Sequence, residues 1–445
     1  MWQNKKIALR GYFFYGIIYS MNIVLGVIIG LVVLMALVVA HEFGHFIAAR
    51  RNGVWVEEFG IGFPPRAKAW LKNPEYTKWQ KEKKAAKKAG KKFDKKRPKK
   101  WLPLPKDQWG KPQKDLIFSI NFLPIGGFCS MKGESDNDKR PESFGQATFW
   151  QKTKILFAGV AMNWLVAFIL LTILSLIGMP HFVENQFQID SDTHVTSGQV
   201  VVAKVLDDTP AAKAGLKEND QIKSITVGDK TTEIGDTSEL ISTNEENRGK
   251  EVKYQIVRDG KDETVDVKLG DKDATYALGI SMTQKDQALY HSTWSAPIVG
   301  AATTVQLTTE TYKGLGTAVY NLFSGIFKQF SGDEAVREEG KTAIGAAGDS
   351  VSGPVGILGV LFPAFVDTGL NNLLFLAALI SISLACMNVL PIPALDGGRW
   401  LLIAIYRLRK KELTKETEEK IVSRAFMVLL ILIALITVLD IIRLF

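Results

Sequence analysis

Four stretches without a charged residue constrain this chain more than any other feature. Val24–Ala40, Ile155–Met179, Leu370–Leu395 and Ala425–Leu439 contain no Asp, Glu, Lys or Arg. The second, at 25 residues, is by itself long enough to cross about 30 Å of hydrocarbon as a helix. Yet 23% of the 445 residues are charged and the mean hydropathy is only +0.06, so strongly apolar blocks must alternate with strongly polar ones. The pattern predicts a polytopic α-helical membrane protein with about four spans. The first run lacks a small-residue cleavage site and reads as a retained span rather than a signal peptide. Met21 is an alternative start that keeps the same span. Cys129 and Cys386 lie in different segments and give no disulfide framework.

The net charge of +9 hides a division. Residues 51–150 carry 23 Lys and Arg against 11 acids, whereas acids outnumber bases over 181–369 and the short loop after Arg399 is basic again. The positive-inside rule then puts 51–150 and 399–422 in the cytoplasm and the acidic block outside. Both termini fall outside, although Lys5, Lys6 and Arg10 run against that placement.

The expected segments are a tail and first span (1–50), a cytoplasmic segment (51–150), a second span (151–180) and an outer region. "VEEFGIGFPPRAKAWL" and "KDLIFSINFLPIGGFCSMKGE" read as strands punctuated by Gly and Pro. The lysine-rich stretch between them, about 72–113, reads as a solvated or disordered insertion, with anionic headgroups as its alternative partner. Trp79, Trp101 and Trp109 are too scattered for a stacking platform, and no nucleic-acid partner is expected. Residues 185–285 alternate as a small β domain, with a short helix near Pro210 and a hairpin turn at Asp259-Gly260. Residues 286–369 read as a surface helix over 291–330 followed by a flexible connector, "SGDEAVREEGKTAIGAAGDS". The third span (370–398), a cytoplasmic loop (399–422) and the fourth span (423–445) complete the chain.

The first span ends in "HEFGH". On a helix His41 and His45 share a face and can bind one Zn²⁺, with Glu42 placed to polarise a water. A pair of helix-end histidines reaching for water is the plain alternative. Ionisable groups at membrane depth favour function, because leaving them unpaired in hydrocarbon is expensive. Catalytic zinc needs a third protein ligand and an open position. His181, His194 and His291 lie on the outer side, at the wrong depth. Asp396, in "MNVLPIPALDGGRW", closes a span that runs parallel to the first and so reaches the same depth. Pro391 and Pro393 forbid a continuous helix there. Broken backbone at that depth is tolerated only beside a cavity or inside protein.

With H-E-x-x-H in the first span and N-x-x-P-x-P-x-L-D-G from Asn388 to Gly397, the chain resembles the site-2 protease family of intramembrane zinc metalloproteases. It is most similar to the bacterial sigma-E-regulator group, which carries a PDZ domain between spans two and three. "FGIGFPP", "LPIGGFCSMKGE", "FAGVAMNW" and "VSGPVGILGV" fall in the family's order. The resemblance implies His41, His45 and Asp396 as zinc ligands and Glu42 as general base. It implies that Asn388 orients substrate or stabilises the oxyanion, and that Asn163 matches a G-P-x-x-N motif in which Val160 replaces the proline. Gly126 and Gly127, with Pro391 and Pro393, are implied to help bind substrate. A membrane-reentrant β-hairpin, an extracytoplasmic PDZ-like α+β domain acting as a size filter, and a location in the bacterial cytoplasmic membrane follow by the same resemblance. The implied partners are membrane lipids, single-span substrate proteins (an anti-sigma factor or a signal-peptide remnant) and an upstream site-1-type protease that trims them first. A catalytically silent PDZ scaffold and a metal transporter are the competing readings. Intact His41, Glu42, His45 and Asp396 count against the first, and the single depth of the ligands counts against the second.

Overall fold

The computed structural model describes residues 2–109, 111, 113–183, 185–196, 200–228, 230–235, 237–284, 289–349 and 353–444. Val351 and Ser352 of the "VSGPVG" motif and Asp229 of the β domain lie outside the described residues. The chain divides into two compact units, residues 1–168 with 304–445 and residues 169–303.

Four helices of the described residues are long and apolar enough to cross a membrane: Ile23–Arg51, Phe149–Ile177, Leu370–Val389 and Lys415–Val438. The first belongs to α1 (Trp2–Arg51), a helix longer than the expected span. Gly26 and Gly30 sit one turn apart on α1, and a Cβ on either would strike Pro363 or Phe362 at 2.5–2.6 Å. A second apolar helix, Pro354–Val366, can therefore pack closely against it. Asp440 of the last helix accepts the Gly356 amide at 2.8 Å and satisfies the start of that second helix.

After α1 the chain forms β1 (Val56–Lys72), α2 (Pro74–Lys88), β2 (Trp101–Pro103) and β3 (Ile117–Met131), then α3 (Phe149–Ile177). β3 pairs with β1 twice. Its end, 127–131, lies beside 56–61, while its start, 117–120, lies between 58–61 and 66–71. Both β1 and β3 thus fold back on themselves, and 127–131 is left on an edge. The two tips expose Phe63, Phe122, Leu123 and Ile125.

Three expectations are corrected here. The lysine-rich insertion is not disordered throughout: 74–88 is helical. Asn73 caps α2 by accepting the Glu75 amide at 2.9 Å, and Tyr76 and Trp79 stack at 5.9 Å, giving the segment the apolar contacts its composition conceals. The connector after Phe330 is a helix, Glu334–Asp349. Its Gly340 packs against Gly325 of helix Ala296–Gln329, so glycines that suggest flexibility serve close approach instead. The loop 399–422 is largely helical, with Asp396–Leu408 turning Leu402 and Ile403 inward before the last helix starts at Lys415.

The second unit carries a sheet of strands Lys261–Lys268, Glu251–Arg258, Gln221–Val227, Val200–Val205 and Ile280–Gln284, in that order. Its core includes Val202, Ile222, Tyr254 and Ile256. Helices Pro210–Ala214 and Thr237–Glu246 accompany it. Asp259 and Gly260 both adopt positive φ in the hairpin turn, as a type I′ turn requires. A small second sheet pairs Leu289–His291 with Met179–Pro180 and His194–Thr196.

Candidate metal centre

The α-helical rise stacks His41 and His45 one turn apart on α1. Their Nε2 atoms lie 3.1 Å from each other, and the Asp396 Oδ2 lies 3.0 Å from one and 3.3 Å from the other. Both rings are buried. The His45 Nδ1–H donates to the Ile155 carbonyl of α3 at 2.8 Å. That bond sets the tautomer and leaves the Nε2 lone pair for a ligand.

Asp396 arrives through a break in the chain. Helix Leu370–Val389 ends before Pro391 and Pro393, and tight turns at Leu390, Ile392 and Leu395 bridge to helix Asp396–Leu408. A Cβ on Gly397 would sit 2.1 Å from the Val389 carbonyl, and one on Gly398 would sit 2.0 Å from that of Ile392. Two glycines after the aspartate are therefore the condition for folding the new helix tightly against the break.

The residues fit zinc. Two imidazole nitrogens and a carboxylate oxygen are a donor set zinc favours, with atoms all within 4.8 Å of one another. Gly159 of α3 faces both rings, and a Cβ there would lie 2.5 Å from each Nε2. Behind His41, the Asn163 amide nitrogen lies 3.3 Å from Nδ1, and the buried Asn163 Oδ1 has no hydrogen-bond partner among the described residues. An Nε2-ligating His41 carries its proton on Nδ1, and the Asn163 oxygen turned toward it satisfies both groups.

A cavity of about 260 Å³ opens onto the cluster, and its wall includes His41, Glu42, His45, Asn388 and Asp396. Glu42 takes a backbone hydrogen bond from Cys129 on the 127–131 edge. The other expected residues stand back from this wall. Asn163 lies behind His41, Pro391 and Pro393 shape the break, and Gly126 and Gly127 pack beside Val38 and Val39 of α1. Sequence reasoning missed Cys129, Met131, Glu134 and Arg399, which also line the cavity, and Gly159. Gly159 stands four residues before Asn163, one helical turn, which is the signal that pointed to it.

Comparison with known proteins agrees with this geometry. The chain matches peptidase family M50 over residues 29–80 and 102–433. It is 28% identical to the regulator of sigma-W protease RasP of Bacillus subtilis, covering 94% of this chain and 99% of that one. It is also 28% identical to the zinc metalloprotease RasP of Bacillus licheniformis and to that of Oceanobacillus iheyensis, each covering 92% of this chain and 97% of the relative. Among solved structures, the PDZ domain of an SdrC-like protein from Listeria monocytogenes is 32% identical over 20% of this chain and 93% of that one, with a TM-score of 0.18. Fold and centre define a membrane zinc metalloprotease. The chain belongs to peptidase family M50, the site-2 proteases.

Proposed function

We propose that this protein is an endopeptidase that cuts single-span membrane proteins within the bilayer, with zinc on His41, His45 and Asp396. One observation carries the reading: His41 and His45 of a candidate membrane helix meet Asp396, seven residues past the end of another, on the wall of a cavity that also holds Glu42. When bound, zinc supplies an acidified water and a polarised carbonyl. Glu42 accepts the proton of the attacking water and returns it to the departing amine. Asn388, on the same wall, faces the scissile carbonyl or the backbone next to it.

A transmembrane helix shields its own peptide bonds, so it must unwind before attack. The 127–131 edge, with Gly127 at its start, suits pairing with the extended backbone once the substrate displaces Glu42 and Glu134 from the Cys129 and Met131 amides. Gly126, Pro391 and Pro393 flank the same path. The apolar tips at Phe63 and Phe122–Ile125 support a hairpin that re-enters the bilayer. The sheet of the second unit, with its two helices, supports a PDZ-type domain. On the outer side of a bacterial cytoplasmic membrane it would admit substrates that an upstream protease has already trimmed, such as an anti-sigma factor or a signal-peptide remnant.

The test compares wild type with Glu42→Gln for zinc content and for membrane fragments accumulated in cells, identified by mass spectrometry. The variant should keep its zinc and lose the fragments, with cleavage down about 10²–10⁴-fold. Identical fragment sets from the two proteins would sink the proposal.

A further inference from the structure

The lysine-rich region has no part in the proposed catalysis, yet it closes one side of a second cavity. This cavity, about 430 Å³, lies between the last turns of α1, the sheet and the segment before β2. It is within the size range of small-ligand sites. Phe43, Phe46, Phe59, Phe118 and Trp101 form its apolar wall. Their rings interlock, with Phe46 and Phe59 edge-on at 5.5 Å and Phe59 and Phe118 stacked at 6.1 Å.

Arg50, Lys72 and Lys100 line the same cavity. Among the described residues none of the three forms an ion pair with a carboxylate. Arg50 instead lies over the Phe46 ring at 5.5 Å and Lys100 over Trp101 at 5.9 Å. Burial lowers the Lys72 ammonium from its ordinary value, and the Arg50 charge lowers it further, ahead of the opposing pull of Asp115. Asp115 acts on Lys72 and Glu142 lines the adjoining cavity, but among the described residues no carboxylate lines this one.

The two halves of the wall are ordered along α1. Phe43, Phe46 and Arg50 fall on one face, and the rise from the first to the last is about 10 Å. Since α1 is a candidate span ending at Arg51, the aromatic end lies toward its apolar run and the cationic end at its boundary. Chain below and charge above is the plan of a membrane lipid.

We propose that this cavity binds one anionic phospholipid, with an acyl chain among Phe43, Phe46, Phe59 and Phe118 and the headgroup phosphate on Arg50, Lys72 and Lys100. The site is separate from the metal centre and does not depend on peptidase activity.

The experiment is native mass spectrometry of the full chain in detergent, titrated with phosphatidylglycerol or phosphatidylcholine. Wild type should hold one phosphatidylglycerol per chain at least tenfold more tightly than phosphatidylcholine. Lys72→Gln with Lys100→Gln should remove that preference, while Lys91→Gln with Lys92→Gln, which removes the same charge from exposed positions outside the cavity, should keep it. Equal binding of the two lipids by wild type overturns the proposal without recourse to any variant. So does equal loss in both double variants, which would mean diffuse attraction, or displacement of the lipid by millimolar inorganic phosphate, which would mean a phosphate site.

Discussion

Gly159 faces His41 with no space for a side chain between them: a Cβ at 159 would lie 2.5 Å from the His41 Nε2, and as close to that of His45. Alanine is a better helix former than glycine, so Gly159→Ala should not weaken α3 itself. It should push both rings off the position where they meet Asp396. We expect purified Gly159→Ala to remain folded by circular dichroism and to carry less than about a tenth of the wild-type zinc, since misplacing two of three ligands exceeds the 10–100-fold cost of disturbing their supports. Full zinc content in this variant would show that the rings adapt.

The Asn163 side chain lies 3.3 Å from the His41 Nδ1, on the side away from Asp396. Its backbone is held separately, because the Ser381 Oγ–H donates to the Asn163 carbonyl at 2.8 Å. Asn163→Leu therefore removes the amide and leaves the helix contact in place. Zinc affinity, measured by competition with a chelator, should fall about 10–100-fold. An affinity within twofold of wild type would deny Asn163 any part in orienting the ring.

Much of this centre was legible because its geometry is local or set by depth. His41 and His45 are one turn apart on any helix, and the charge bias, by making the first and third spans parallel, led to the expectation of Asp396 at the same depth. The sheet was legible as strands but not in its pairing. Residues 117–120 lie between two parts of β1, and such non-local partners leave no mark on the spacing of apolar residues. Gly159 and Gly340 carry the same limitation, because a glycine needed for close approach reads like one needed for flexibility. In α2, Tyr76 and Trp79 were hidden by the lysines around them.

Arg399 holds the helix of Asp396 to the rest of the unit. Its Nε donates to the Glu418 Oε1 at 3.0 Å, and the Glu418 Oε2 accepts the Asp136 amide at 3.1 Å. Glu418 is buried. Glu418→Leu would leave a charge without its partner and should destabilise the protein by about 3–5 kcal/mol. Thermal unfolding of the detergent-solubilised chain measures it. The double variant with Arg399→Leu should recover a large part of the loss. A single variant as stable as wild type would mean that solvent already screens the pair.

Within the second unit, Asp192 secures the start of helix Ala296–Gln329. Its carboxylate accepts the Thr293 and Ser295 amides, each at 2.9 Å, as well as both hydroxyls. Burial raises the carboxyl, but the hydroxyl and amide bonds from Ser295 and Thr293 outweigh it and hold the group well below the usual carboxylate range. A folded value below the unfolded one, about 3.9, means the stabilisation is complete above about pH 4 and is lost as pH falls through the folded value. Asp192→Asn should therefore speed amide exchange over 293–299 at pH 7. The difference from wild type should shrink as pH drops below about 4, once exchange is corrected for its intrinsic pH dependence. A difference of the same size at pH 3 and pH 7 would mean that the charge of Asp192 has no part in securing this helix start.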